Sequence, residues 1–297
     1  MLCNQATKQP SNQATKQPTD FKVLLESIKH EIQKIRDYTP RVGVVGNSGV
    51  GKSSLCNALF GEDVANTSAV TACTRGAQEI IIGAKEGKGG MILVDLPGIG
   101  EDPDRQEEYI KLYQEQMPKL DLVLWAIKAD DRNYDSALKG YNAVLKKSET
   151  PRIFVITQLN KLEPMDDWDS QSFSPTGEQF DNMQLKEHTV SKVFEIPVSN
   201  IISVAVNPRK KGVNYQLKEL VERIVEVLPN QKKYAFTREA SPENVTETAR
   251  VSAEKGILDH VKEFAGDVWD TVKDSAVTAL VTSAPRAISN FIKRLFW

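Results

Sequence analysis

The octapeptide Gly46-Asn47-Ser48-Gly49-Val50-Gly51-Lys52-Ser53 has the spacing G-x-x-x-x-G-K-S. Its glycines let the backbone curl so that successive N–H groups face one point, a nest that attracts phosphate oxygens. A helix opening at Ser53 would add its positive end. In that arrangement Lys52 reaches the β- and γ-phosphates and the Ser53 hydroxyl binds Mg2+. Asn47, Ser48, Gly49, Val50 and Gly51, with Ser54 just beyond, are the accompanying nucleotide contacts. The motif follows the apolar run Arg41–Val45 and precedes a helical pattern over 53–60, the strand–loop–helix setting that this chemistry requires. Binding of a nucleoside di- or triphosphate is implied.

A second motif, Asp95-Leu96-Pro97-Gly98, follows the apolar run Met91–Asp95. There an acidic residue can hold Mg2+ through water, and the Gly98 amide can sense a γ-phosphate. Between the two motifs, residues 61–76 are small and polar and include Thr67, Thr71 and Thr74. A threonine in this stretch can close over Mg2+ when the γ-phosphate is present and release after hydrolysis. Thr74, which with Arg75 immediately precedes the next strand, is preferred and Thr71 is second. The metal set is then Ser53, Thr74 and Asp95, and the groups acting on the reacting phosphate are Lys52, Thr74 and Gly98.

Positioning these groups requires strands and helices in alternation. Strands are expected at 41–45, 79–83, 91–95, 122–127, 153–156 and 201–206, and helices at 53–60, 104–116, 136–146, 181–194 and 217–227. This order predicts an α/β fold, a doubly wound and mostly parallel sheet with helices on both faces. Ligands then sit beyond the carboxyl ends of the strands.

The rest of the chain sets bounds. It has 297 residues and a formal net charge of −2, so no overall basic footprint indicates nucleic acid. Cys3, Cys56 and Cys73 stand far apart, which suggests neither a disulfide framework nor a zinc site. No apolar run approaches the ~20 residues of a spanning helix, and no secretory signal opens the chain, so a cytoplasmic protein is expected. Residues 1–20 carry the polar repeat NQATKQPS/NQATKQPT and read as a disordered leader. Residues 21–39 form an N-terminal helix through Phe21, Leu25, Ile28, Ile32 and Ile35, with His30 on its polar side. The nucleotide domain is expected at 40–230, a linker at 231–256 and an amphipathic helical tail at 257–297. In that tail Ile288, Phe291, Ile292, Leu295, Phe296 and Trp297 gather on one side, a face suited to the protein's own helices, a membrane surface or a partner.

With these motifs in view (GNSGVGKSSL, VTACTR, DLPGIG and LVLWAIKADDR) the chain resembles the Era-like branch of small P-loop GTPases, the TRAFAC class, and is similar to its bacterial and prophage-encoded members. The resemblance spans roughly residues 40–229. It implies a six-stranded GTPase domain with Mg2+, bound GTP or GDP and two switch regions.

The family places N/T-K-x-D after its fifth strand, where the aspartate accepts both guanine protons. Here the frame Thr157-Gln158-Leu159-Asn160 abuts the strand but replaces Lys with Gln and Asp with Asn. The frame Asn160-Lys161-Leu162-Glu163 is chemically closer but starts three residues late. The first is preferred by position. An amide cannot accept from both guanine protons, so base specificity could relax toward ATP or XTP. A base-contacting loop would fall at Val204 and Ala205.

Ras-like relatives carry a water-orienting glutamine after the switch glycine, and here that place is Ile99. Some Era-like enzymes carry a potassium-recruiting asparagine where this chain has Gly49. The expected activity is therefore slow hydrolysis of GTP to GDP and phosphate, a switch helped by a protein partner or by self-dimerisation. A nucleotide-binding interaction protein with little turnover is the alternative. Asp130-Asp131, Asp166-Asp167 and the basic loop Arg209-Lys210-Lys211 read as solvated turns, and His188 and His260 stand in no catalytic pattern.

Overall fold

Apolar residues alternate along the strands, and the alternation decides the layering. On one face Val42, Val44, Leu93, Leu122, Leu124, Ile153 and Val155 are buried; on the other lie Val45, Val94, Val123, Trp125, Ile127, Phe154 and Ile156. A sheet apolar on both faces needs helices on both. The strands are β1 (Arg41–Val45), β2 (Gln78–Ile82), β3 (Met91–Asp95), β4 (Leu122–Lys128), β5 (Arg152–Thr157) and β6 (Ile201–Ser203). They form one six-stranded sheet in the order β2-β3-β1-β4-β5-β6, parallel throughout except for β2, which runs antiparallel to β3. The expected doubly wound, mostly parallel α/β sheet is therefore present. The computed structural model describes residues 17–61, 77–82, 90–96, 105–207, 209–210 and 212–271.

The helices are α1 (Gln17–Asp37), α2 (Lys52–Phe60), α3 (Gln106–Gln116), α4 (Asp135–Val144), α5 (Gly177–Phe194), α6 (Leu217–Val227), α7 (Asn230–Glu239) and α8 (Glu247–Thr271). One face of the sheet is covered by α2, α6 and α7 through Leu55, Leu59, Leu220, Ile224 and Phe236. The other is covered by α3, α4 and α5 through Tyr113, Tyr141, Met183, Val190 and Phe194. On that side Trp125, Tyr141, Phe154 and Phe194 form a close aromatic cluster with centroids 4.9–6.5 Å apart.

Three elements differ from expectation. The strand expected at 201–206 splits at Val204: its N–H still donates to Ile156 O of β5 at 2.7 Å, but its carbonyl accepts from Leu159 N at 3.2 Å, beyond the end of β5, and the ladder stops there. Beyond it, Ala205–Val206 pairs antiparallel with Asn214–Tyr215. Helix α5 starts at Gly177, four residues before the expected 181, since the Asp167 carboxylate caps it, accepting from Glu178 N at 2.8 Å and Gln179 N at 3.4 Å. The segment 231–256, expected as a linker, holds α7 and the start of α8, with Ala235, Phe236, Ala240 and Ala249 buried.

The chain divides into two compact units, Ile35–Gly256 and Met1–Lys34 with Ile257–Trp297. The first contains the sheet. In it Asp121, at the start of β4, is buried and accepts from Tyr38 Oη at 2.8 and 2.9 Å, from Arg41 N at 2.8 Å and from the Lys232 ammonium. In the second, Glu31 takes Lys34 Nζ at 2.9 Å and His260 Nε2 at 3.4 Å. Residues 17–20, expected in the disordered leader, instead open α1, while the leader through Lys16 and the tail beyond Thr271 with its Ile288–Trp297 face lie outside the described residues. Among the described residues no helix is long and apolar enough to cross a membrane.

Candidate nucleotide site

Five parallel strands bring their carboxyl ends to one edge of the sheet, and the residues singled out by chemistry gather there. The loop leaving β1 turns at once. Gly46 has φ 149°, and a Cβ on it would lie 2.5 Å from the Ala126 carbonyl of β4, so no side chain fits. Gly51, with φ 92°, is the N-cap of α2, in a conformation costly for any L side chain. Between them Val50 is buried while Asn47, Ser48 and Gly49 are exposed. The loop is thus anchored at its base and open at its mouth.

Lys52 Nζ donates to Gly46 O at 2.7 Å and Asn47 O at 3.3 Å, so the ammonium is folded back over the loop it belongs to. Ser53 and Ser54 are exposed in the first turn of α2. Asp95 closes β3 in register with Val44 of β1. The charges of Asp95 and Lys52 both act on Cys56, whose thiol is pushed up to about 12, first by burial and then by Asp95, with Lys52 opposing. The lysine, the carboxylate and the first turn of α2 therefore share one neighbourhood. Cys56 itself stays a neutral, unreactive thiol. A serine hydroxyl and a carboxylate are hard oxygen donors of the kind Mg2+ takes, so Ser53 and Asp95 fit the metal. Thr67, Thr71, Thr74, Gly98 and Ile99 lie outside the described residues.

The turn after β5 is tied to the phosphate loop at two points. Thr157, buried, donates from Oγ1 to Val50 O at 2.5 Å, with Ile127 O at 3.2 Å. Gln158, held at φ 55°, donates from Nε2 to Gly49 O at 2.7 Å. Leu159 is fully buried and takes the Val204 carbonyl, which brings the loop of Val204 and Ala205 against the same turn. Below that loop Ser203 Oγ donates to Glu187 Oε1 at 2.7 Å, and burial raises the Glu187 carboxyl above the usual carboxylate range.

The far end of the turn is pinned by α5, through Gln179 Nε2 on Leu162 O at 2.5 Å and Asn182 Nδ2 on Glu163 O at 3.0 Å. Glu163 meanwhile engages its carboxylate with Met165 N at 3.2 Å. Neither pin is legible from the chain alone, because both acceptors are backbone carbonyls. A signal for the start of α5 did exist: Thr176-Gly177-Glu178-Gln179 has capping-box spacing. In the structure Thr176 instead donates its hydroxyl to Asp167 O at 2.6 Å.

Sequence reading also passed over the far side of the loop. Asn47, Trp125, Asp131, Asn133, Tyr134 and Ala137 line a common cleft there. Lys186 of α5 holds this edge, donating to the Asp131 carbonyl with its ammonium 4.8 Å from the Tyr134 ring centroid; burial lowers its pKa. Asp130 pairs with Lys128 at 2.9 Å, and His188 Nδ1 meets Gln184 O at 2.8 Å. Arg209 and Lys210 are exposed, their N–H groups on Asn207 Oδ1 at 3.0 and 3.2 Å. Among the described residues no cluster of His, Cys, Asp and Glu forms a metal site.

Known proteins resemble this chain at several distances. The family model described as 50S ribosome-binding GTPase matches residues 41–158. The uncharacterised protein YkfA of Escherichia coli K12 is 33% identical over 277 residues, 90% of this chain and 92% of that protein. YfjP of the same organism, also uncharacterised, is 34% identical over 279 residues with the same coverage. GTPase Era of Clostridium kluyveri is 27% identical over 195 residues, 65% of this chain and 57% of Era. Among solved structures, an Era variant of Aquifex aeolicus bound to GDP·AlF4− is 22% identical with a TM-score of 0.44, covering 64% of this chain and 57% of that one.

Proposed function

The chain belongs to the Era-like P-loop GTPases, and from that premise we propose that it binds GTP and GDP with Mg2+ and hydrolyses GTP slowly, as a switch. One observation carries the reading. Thr157 and Gln158 hook the turn after β5 onto the Val50 and Gly49 carbonyls, which joins a base-recognition turn to a phosphate cradle as a single rigid site.

In this reading Asn47, Ser48, Gly49, Val50 and Gly51 present backbone N–H groups to the phosphates, and Lys52 exchanges its two carbonyl acceptors for phosphate oxygens. Ser53, Asp95 and Thr74 hold Mg2+, which when bound neutralises charge on the phosphate oxygens. Gly98 donates its amide to the γ-phosphate, while Thr157, Gln158 and Asn160, with Val204 and Ala205, receive the base. Ile99 has no group to orient water, so turnover is slow until a partner or a second copy supplies one.

The test is calorimetry with GTP and Mg2+ on the purified chain, with identification of any nucleotide that co-purifies. Lys52→Ala should weaken triphosphate binding by about 100-fold, since it removes a charge-assisted contact to each of two phosphates. Near-wild-type affinity in this variant would sink the site. A second reading, relaxed base choice, is supported by one observation: the frame whose Gln158 is tied to Gly49 O carries an amide, Asn160, where the family motif carries a carboxylate. Competition by ATP and XTP against GTP decides it.

A further inference from the structure

The buried row of α5 breaks its own pattern. Gln179, Met183, Lys186, Val190 and Phe194 follow the helical spacing of a core-facing stripe, yet two of the five are polar. Both place a donor on a backbone carbonyl near the carboxyl edge of the sheet, Gln179 on Leu162 O and Lys186 on Asp131 O. The amide is neutral, whereas the ammonium is charged and Lys186 is only 9% exposed. Among the described residues no carboxylate pairs with it, and Asp130 is taken by Lys128 at 2.9 Å. Its second partner is the face of the Tyr134 ring, with 4.8 Å from ammonium to centroid. A buried cation held by neutral groups costs stability. Another methionine like Met183 would fill the row without that cost, so packing alone does not account for the lysine.

Resting on the GTPase reading above, we propose that Lys186 is a positioning residue for the phosphate loop. It fixes the loop after β4, and that loop keeps the bend at Gly46 and Asn47 in the shape that holds phosphate. Three arguments carry the assignment. The first is where the tie falls. Ala129 N donates to Thr157 O at 2.9 Å at one end of the loop, and Asn133 Oδ1 takes Asp135 N at 2.9 Å at the other. Lys186 holds the middle, at the Asp131 carbonyl, and its ring contact holds Tyr134 where α4 opens. The second is adjacency. Asp131, Asn133 and Tyr134 line one cleft together with Gly46, Asn47 and Val50 of the phosphate loop. Gly46 also lies so close to β4 that a Cβ would come within 2.5 Å of the Ala126 carbonyl, so a shift on that side has no slack to absorb it. The third is chemical. Amides that converge on phosphate must be aimed before the ligand arrives, and the groups behind them do the aiming. An apolar residue at 186 would fill the space but leave Asp131 O unheld.

The experiment measures release of a fluorescent GDP analogue from the full chain with Mg2+, beside thermal melts of the same variants without nucleotide. Lys186→Met keeps the length of the side chain and removes its charge, so the melting temperature should hold or rise. Release should nevertheless quicken by about tenfold, the lower end for losing a support behind groups that touch a ligand. Lys186→Arg retains a charge and a donor and should release within about threefold of wild type. The ratio of GTP to ATP affinity should not change in either variant, because Gln179 and Asn182 still hold the base turn. Quickening of less than about threefold by Lys186→Met, or quickening accompanied by a lower melting temperature, would overturn the proposal. So would a shift of the GTP to ATP ratio beyond about threefold, or a Lys186→Arg variant that melts with the wild type yet releases as fast as Lys186→Met. If the wild-type chain binds no GDP, or Lys52→Ala binds it equally well, the nucleotide reading fails first and takes this proposal with it.

Discussion

At the scale of single residues, the base choice proposed above turns on one atom of Asn160. A carboxylate accepts on both oxygens, whereas an amide accepts on one and donates from the other group. Asn160→Asp should therefore raise affinity for GTP over ATP by about tenfold, within the range of a charge-assisted hydrogen bond. Glu163→Ala should leave that ratio alone, because its carboxylate is engaged with Met165 N at 3.2 Å. Fluorescence competition measures both, and a reversed pattern would move the base motif three residues along. The phosphate loop was legible as written, since the absence of a side chain on its glycines and the charge on its lysine are both read directly from residue type. The choice between the two base frames was not. What favours the first frame is Gln158 reaching a backbone carbonyl 109 positions away, and carbonyls leave no mark in a sequence.

Among the elements, α5 positions the site without entering it. Its Gln179 and Asn182 hold the carbonyls behind the base turn, and its own start depends on the Asp167 carboxylate at the N-terminal amides. Asp167→Ala should cost about 1 kcal/mol, a typical N-cap loss. In a chain of this size that lowers the melting temperature by roughly 2–4 °C. Asp167→Asn should recover most of it, and scanning calorimetry distinguishes the two. Strong periodicity made elements legible: Arg41–Val45, Met91–Asp95 and Leu217–Val227 lie where the pattern put them. Helix α7 was hidden for the opposite reason. Asn230–Glu239 is mostly polar, yet Lys232 and Arg238 point their charges inward, at Asp121 and at the carbonyls of Tyr38 and Gly90. A sequence shows that a cation is present but not that a buried acceptor awaits it.

For the molecule as a whole, chemistry and anchoring occupy opposite ends of the sheet. The residues proposed to take the nucleotide sit at the carboxyl ends of the strands, whereas the Asp121 network sits at the start of β4, roughly 20 Å away along that strand. Asp121 is 5% exposed, so removing its ammonium partner leaves a charge in low dielectric. Lys232→Met should cost about 3 kcal/mol, the lower end for a broken buried pair because Lys232 is partly solvated. Adding Asp121→Asn should restore a part of it. Urea denaturation measures the loss, and GDP affinity should be unchanged in both variants. A change in affinity larger than about threefold would show that the two ends communicate. The doubly wound, mostly parallel sheet was implied by the alternation of strands and helices, though not its strand order. For the tail the sequence left the protein's own helices, a membrane surface and a partner open, because no local pattern records which distant helix fills an apolar face; the start and the end of the chain form one separate unit.

Strand β4 is paired along both edges, to β1 through Leu122–Trp125 and to β5 through Val123–Lys128. Amides enclosed in this way trade hydrogen for deuterium only when the whole sheet opens. A ligand that binds the folded form alone makes that opening rarer by the factor 1 + [L]/Kd. The backbone protons of the innermost strand, none of which faces a nucleotide, would then slow in proportion to nucleotide concentration. Their exchange rates become a thermodynamic gauge of occupancy, readable by mass spectrometry with no label on the ligand and no assay of turnover.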